Sequence, residues 1–506
     1  MSTSRIGAFL PRHFKGYLWI SFLAAIFLVM GLSENDVIFV DKSRARYAAD
    51  GSLLSQHQPI NHDVPPITPS TSTSVPPSAP PQNNVEKDDA KPVVEEPSRI
   101  YSSTGLDPKD VVILVKTGAT SIWRRMPMHM STTLGNKQLT PNVVYYSDVA
   151  DNIMGNPVID SLANVSTALK GSPDFELYNK AKESLSDNLY QESGSMEGDH
   201  YLPGGWRLDK YKFLPMFQHA AIHHPGKKWY VYMEDDNYFF WETLYAWLAT
   251  LDHTSPILVG SPAFKMGEDF AHGGSGFAIS GKAMETSFGA DKTLADRYES
   301  YAKQHCCGDQ VLSHALKEMG VERFKGLDGG GWAALQALPI WRINFGNWNL
   351  CSPIMNIHKV HQADISKLFV FENKFMQETK GKGRIRYRDI FKYFFEPTLV
   401  ATRSEWDNYA ASKSFSSSED SWSPEFKDIT AAQRSERPWV SKENCKKACA
   451  DWDECLTWKY QDDNCHLAHT AAMGQKVNDG VYMESGWMLE RIAKVLQKKE
   501  CGALEF

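Results

Sequence analysis

Residues 229–240 read WYVYMEDDNYFF, and everything else in the chain can be placed by working outward from them. Trp229 to Met233 is an apolar, aromatic run without a polar interruption, the pattern of a strand buried on both faces. Three acids, Glu234, Asp235 and Asp236, stand at its carboxyl end, where ligands of open α/β sheets collect. Alternating side-chain directions bring the first and third carboxylates to one hard cation, while the middle one faces away or grips a sugar. Three adjacent acids are more often a plain solvated turn, so it is the strand end that favours a metal.

Flanking segments supply the rest of such a sheet. Asp110 to Lys116 (DVVILVK), Asn142 to Ser147 (NVVYYS) and Ile257 to Gly260 (ILVG) are further short apolar runs. Between them, Trp123 to Leu134, Asp209 to His223 and Trp241 to Leu251 carry apolar residues three and four apart, as amphipathic helices do. Strands alternating with helices predict an α/β domain around a mostly parallel sheet. Trp206 to Lys210 precedes the acidic strand, and its Asp209 and Lys210 either face a bound nucleotide or mark a helix start with charged solvent contacts, the latter preferred.

Composition narrows the function. The 506 residues carry 61 acids against 54 bases, a formal charge of -7 without a basic block, so a nucleic-acid surface built on phosphate neutralisation has nothing to rest on. With 12% aromatic residues the chain has too much apolar surface to stay unfolded. Residues 16–32, GYLWISFLAAIFLVMGL, form an uncharged run just long enough to cross a bilayer. Arg5, Arg12, His13 and Lys15 precede it, which predicts a cytoplasmic tail (1–15), a signal anchor (16–32) and a lumenal remainder, a single-pass type II protein of the Golgi or endoplasmic reticulum membrane. A cleaved signal peptide is the alternative. Residues 33–100 read as a disordered stem, because ten of the 26 prolines fall between Pro59 and Pro97 among Ser and Thr. Asn164-Val165-Ser166 is an N-glycosylation sequon in a polar stretch, Asn152 to Pro203, that reads as an insertion shaping the acceptor pocket.

Four segments in order, WYVYMEDDNYFF, AHGGSGFAIS (271–280), CCGDQVLSHALKEMGV (306–321) and PIMNIHKV (353–360), resemble glycosyltransferase family 31, nearest its Fringe and core 1 β-1,3-galactosyltransferase branch in a fungal form. The resemblance spans most of Asp110 to about Phe371 and implies a GT-A type domain, placed at 101–430. It further implies a UDP-sugar donor, a divalent metal (Mn2+ or Mg2+) and inversion at the anomeric carbon. Residue by residue, Asp236 and Glu234 fall on the metal and diphosphate motif, with Asp235 at its middle, donor-binding position. Glu234 replaces the commoner first Asp, and His358 matches the family's late metal-binding His.

Asp309 falls where the family places its base, which takes the acceptor hydroxyl proton as the anomeric carbon is attacked from the opposite face. An Asp before a helix is equally an ordinary N-cap. Gly273 and Gly274 lie in the family's glycine loop at the donor and acceptor junction, where a missing Cβ lets a ligand approach the main chain. Lys116, Thr117 and Asp148 match further donor contacts. The transferred sugar, galactose or N-acetylglucosamine among the candidates, stays open, as does the glycan or glycoprotein acceptor; the expected linkage is β-1,3.

Near the C-terminus, NCKKACADWDECLTWKYQDDNCHL holds Cys445, Cys449, Cys455 and Cys465. In an oxidising lumen these read as two disulfides, with a zinc site as the rival. The segment resembles a PAN/Apple module, a small disulfide-rich α+β unit placed at 438–506. Spacing leaves three pairings open; Cys445 with Cys465 and Cys449 with Cys455 is preferred. Such a module binds a glycan or protein ligand, or simply caps the catalytic domain. For the other four cysteines a bridge from the Cys306-Cys307 pair to Cys351 is expected ahead of a vicinal disulfide. The reading is thus a membrane-anchored hexosyltransferase; the alternatives are a catalytically silent lumenal lectin or chaperone on the same fold and an extracellular adhesion protein.

Overall fold

The computed structural model describes residues 104–186, 205–324, 335–418, 430–498 and 501–502. The expected tail, span and stem lie outside the described residues, as does the later part of the expected insertion. Among the described residues no helix is long and apolar enough to cross a membrane.

Eight strands form the main sheet: β1 (Val111–Lys116), β2 (Val143–Ser147), β3 (Asp151–Ile153), β4 (Asn156–Asp160), β5 (Trp229–Glu234), β6 (Ile257–Gly260), β7 (Phe277–Ser280) and β8 (Glu322–Arg323), in the order β8-β6-β7-β5-β1-β2-β4-β3. Its centre is parallel, β5-β1-β2-β4. The sheet is mixed rather than mostly parallel, because a hairpin of Pro262–Lys265 with Glu268–Ala271 turns the chain so that β7 enters antiparallel between β5 and β6. This mixed α/β architecture fits the GT-A type expectation.

The run in β1 divides between two cores in the two-residue alternation of a strand. Val112 and Leu114 join Leu208, Leu214 and Phe217 of α2 (Trp206–His223), while Val111, Ile113 and Val115 join Ile122 and Met126 of α1 (Ile122–Ser131) and Leu244 and Leu248 of α3 (Trp241–Leu248). Helix α4 (Gly308–Glu318) packs on the α2 side through Val311, Leu312 and Leu316. Each such side chain contributes about 1.5–3 kcal/mol when fully buried. The acidic tip of β5 therefore stands at the end of a strand packed between two apolar cores.

A second sheet, β9 (Thr402–Ser404), β10 (Lys413–Ser416), β11 (Thr457–Gln461), β12 (Asn464–Ala468) and β13 (Met483–Trp487), runs in the order β9-β13-β11-β12-β10 and is antiparallel throughout. Two of its strands precede residue 430, so the sheet draws on both sides of the expected division between 101–430 and 438–506, its first strand starting at Thr402. Its edge strands, β9 on β13 and β10 on β12, come from before the cysteine-rich text. The unit also shares a core with the first domain, where Leu456, Trp487, Ile492 and Leu496 pack with Ile354, Ile357 and Phe391.

Cys445 is bonded to Cys465 and Cys449 to Cys455, joining the helix Lys442–Asp451 to β11 and β12 around Trp458 and Leu467. The other four cysteines depart from expectation. Cys306 is bonded to its neighbour Cys307, and Cys351 to Cys501, 150 residues away. The chain end crosses to the segment Ile340–Arg386, where Arg386 donates to the Gly502 carbonyl at 2.8 Å, and so presents Cys501 to Cys351.

Candidate active site

His358 reaches the acidic turn through a two-residue ladder. Asn356 pairs with Phe239 and Ile357 with Tyr238, antiparallel, so the next residue arrives beside the turn that closes β5. The Val360 amide then donates to the Asp236 carbonyl at 2.9 Å. The result brings Glu234, Asp236 and His358 together, with one potential ligand atom from each within 4.8 Å of the others. His358 Nε2 lies 3.3 Å from Asp236 Oδ1, while Nδ1 donates to the Ala337 carbonyl at 2.9 Å, which leaves Nε2 with its lone pair when the ring is neutral.

The donor set fits a divalent cation. Asp236 Oδ1 is buried and makes no hydrogen bond among the described residues, and two carboxylates with one imidazole suit Mn2+ or Mg2+ coordination completed by phosphate oxygen or water. Burial works to raise the Asp236 carboxyl, yet the His358 ring, then Arg125 and Lys116, outweigh it and hold it at about 2. Burial works to lower His358, and Asp236 and Glu234 raise it instead. Glu234 Oε1 already accepts from the Tyr232 hydroxyl at 2.8 Å and lies 3.2 Å from the Lys116 ammonium, so only its other oxygen is uncommitted.

Four positions expected to touch the donor are joined to neighbouring side chains beside the acidic turn. Asp235 is buried, and its oxygens accept from Thr117 Oγ1 (2.6 Å), Ser121 Oγ (2.8 Å) and Arg125 (2.6 Å), with His129 Nε2 on its carbonyl at 3.0 Å. Thr117 is spent on Asp235, and Lys116 on Glu234 and on Asp209 at 3.0 Å. Asp148 accepts from the Ala119 amide at 2.6 Å and lies 3.5 Å from Lys212, itself only 1% exposed. Lys212 also reaches Asp209 at 2.9 Å and the Thr117 carbonyl at 3.0 Å. Burial works to raise the Asp209 carboxyl, and Lys116 and Lys212 hold it at about 2. So many carboxylates in one place would repel each other; the interleaved Lys116, Lys212 and Arg125 make the arrangement tolerable.

Asp209 therefore faces the site rather than serving only as a helix start. Arg125, Ser121 and His129 were missed in the sequence, although they recur every fourth residue along one helix face and all three converge on Asp235. Lys212 had a weaker signal, its i,i+3 spacing from Asp209.

Asp309 sits inside the first turn of α4, whose N-cap is Cys307. It is not the cap that its position suggested. Its Oδ2 accepts from the Gly273 amide at 2.6 Å and its Oδ1 from the Gln310 amide at 2.9 Å. The glycine loop thus ties the base candidate to the metal candidate. A Cβ on Gly273 would meet Asp309 at 3.1 Å, and one on Gly274 would lie 2.3 Å from His358 Cε1. We expect Gly274→Ala to displace the His358 ring and weaken Mn2+ binding, read by titration calorimetry, about 10- to 100-fold. Unchanged binding would show that the loop yields freely.

Asn237 donates to the Gly274 carbonyl at 3.0 Å and Asn356 to the Ser275 carbonyl at 2.8 Å, closing the loop from below. Burial lowers the neighbouring His272 in spite of Asp309. The sequon residue Asn164 is exposed and lines a separate cavity of about 600 Å³ with Lys210, Tyr211 and His219. Neither this cavity nor one of about 1070 Å³ beside Lys282 includes Glu234, Asp236 or His358.

Residues 106–322 match the family model described as Fringe-like. The chain carries a Fringe-like domain. The Fringe-like match implies a glycosyltransferase, and the matched range contains the acidic turn, the glycine loop and Asp309. His358 lies beyond the end of the Fringe-like match and joins the site through the strand pairing of Asn356–Ile357 and the Val360 amide. No curated protein matches the chain.

Proposed function

We propose that this protein is a metal-dependent, inverting hexosyltransferase that moves a hexose from a UDP-sugar to a glycan or glycoprotein hydroxyl, with a β-1,3 linkage as the expected product. The observation that carries the reading is the convergence of Glu234, Asp236 and His358, joined through one glycine loop to a tethered carboxylate, Asp309. A divalent cation held by those three residues would supply charge neutralisation for the diphosphate as it leaves. The protein's own groups do the rest. Asp309 takes the proton from the acceptor hydroxyl while that oxygen bonds to the anomeric carbon and the bond from that carbon to the diphosphate oxygen breaks. Lys116 pairs with Glu234 and Arg125 with Asp236, which holds both carboxylates in direction.

The reading includes a lumenal catalytic domain on a type II anchor in the Golgi or endoplasmic reticulum membrane. Four disulfides support an oxidising compartment, and the apolar run at 16–32 supports the anchor. A glycan or protein ligand for the C-terminal unit belongs to the same proposal, and a lone sequon at the exposed Asn164 would be glycosylated there.

The experiment is UDP release by purified full-length protein over a panel of UDP-sugars and mixed glycan acceptors, with Mn2+ or with EDTA. Turnover of one donor that requires the metal is the expected result and identifies the sugar. Absence of metal-dependent turnover by folded protein that still binds glycans would put the silent binding protein in place of the enzyme.

A further inference from the structure

His272 begins the glycine loop and has no role in the reaction described above. Its amide donates to the Ser261 carbonyl at 2.8 Å, which fixes the backbone at the end of the hairpin strand Glu268–Ala271. The ring then turns back over the loop: Nδ1 accepts from the Ser275 amide at 3.1 Å, and Ser275 Oγ donates to the His272 carbonyl at 2.9 Å. An accepting Nδ1 selects the neutral tautomer with its proton on Nε2. That Nε2–H has no hydrogen-bond partner among the described residues.

Its surroundings say what it faces. The His272 ring lies 6.0 Å from the His358 ring, nearly perpendicular to it. Both rings converge above Gly274, where a Cβ would lie 2.8 Å from His272 Cε1 and 2.3 Å from His358 Cε1. On its other side the next residue, Gly273, holds Asp309 by its amide. His272 thus lies beside a residue proposed for the metal and next in the chain to the glycine that holds the residue proposed for the acceptor, and what joins those two in the reaction is the transferred hexose. A neutral N–H suits a neutral hydroxyl acceptor.

We propose that His272 Nε2–H donates a hydrogen bond to one hydroxyl of the donor hexose, making His272 a specificity-determining residue. The inference rests on the glycosyltransferase reading above. The simpler role, a cap for the turn Gly273–Ser275, uses only Nδ1, and two variants separate the two nitrogens. His272→Asn keeps an acceptor for the Ser275 amide and loses the distal donor. His272→Gln keeps a distal donor and gives up the fixed cap.

With purified full-length protein and the donor found in the panel, His272→Asn is expected to lower kcat/KM about 10-fold, the usual loss for one hydrogen bond left unmade. Affinity for Mn2+ with UDP, which has no hexose, stays within about twofold because no hydrogen bond to UDP is removed. His272→Gln recovers part of the activity. Against UDP-hexoses deoxygenated one position at a time, the His272→Asn penalty disappears for one donor and names the hydroxyl. The inference is overturned if His272→Asn turns over like wild type, if UDP affinity falls in step with activity, or if the penalty is the same for every deoxy donor. Wild-type protein that neither binds UDP with Mn2+ nor turns over any donor removes the glycosyltransferase reading itself, a different result from any of these.

Discussion

Asp309→Asn is expected to lower kcat by about 10²- to 10⁴-fold, the range for losing a positioned general base. Both Asp309 oxygens accept backbone amides, from Gly273 and Gln310, so the carboxylate is held in one orientation before any acceptor arrives. Its place in the first turn of α4 also favours a negative charge there. Asn retains the shape and one acceptor oxygen; its NH2 must face one of the two amides, which costs about 1 kcal/mol or somewhat more. The melting temperature should thus fall by only a few degrees while donor binding, measured with UDP and Mn2+, is unchanged. A variant with kcat within about fivefold of wild type would leave Asp309 as a tether between loop and helix, since base removal is worth far more.

Asp236→Asn is the second large effect: Mn2+ affinity should drop at least about 100-fold and metal-dependent turnover about 1000-fold, as a charged ligand is replaced by a neutral one. Asp236 Oδ1 is the buried oxygen without a hydrogen bond, and its neighbours Arg125 and His358 are already aimed at this carboxylate. Wild-type protein at 100 times its Mn2+ dissociation constant gains about 2.7 kcal/mol of stability from binding. The variant should show no such upward shift in melting temperature at the same Mn2+ concentration, and EDTA should make the two proteins alike in this respect. Mn2+ binding at wild-type strength by Asp236→Asn would remove Asp236 from the metal site.

The C-terminal unit bears on the same site through covalent structure. Cys351 lies seven residues before His358, and its bond to Cys501 ties the chain end to the segment that delivers this His. The shared core of Leu456, Trp487 and Leu496 with Ile354 and Ile357 works in the same direction. The unit is therefore part of the platform for His358 as well as a candidate binding surface.

Some of this was legible in the residues alone, and the reason is local. The apolar runs at β1, β2, β5 and β6 and the three- and four-residue spacing of α1, α2 and α3 report burial directly, because side-chain direction follows the backbone period. The acids at the end of β5 could be read as a site for the same reason: a strand end fixes where they are. Tertiary structure decided what these acids do. Asp235, Thr117, Lys116 and Asp148 resemble ligand contacts in the sequence, and the fold adds their pairing with Arg125, Ser121 and Lys212. Whether a charged group meets a ligand or a neighbour depends on which opposite charge folding brings within a few ångströms, and no sequence period records that. The mixed sheet, the strands that the second sheet takes from before residue 430 and the Cys351–Cys501 bond were hidden likewise, since each joins segments far apart in the chain. The approach of His272 to His358 is of the same kind: it exists only because Gly274 has no Cβ and the short ladder at Asn356–Ile357 carries one ring to the other.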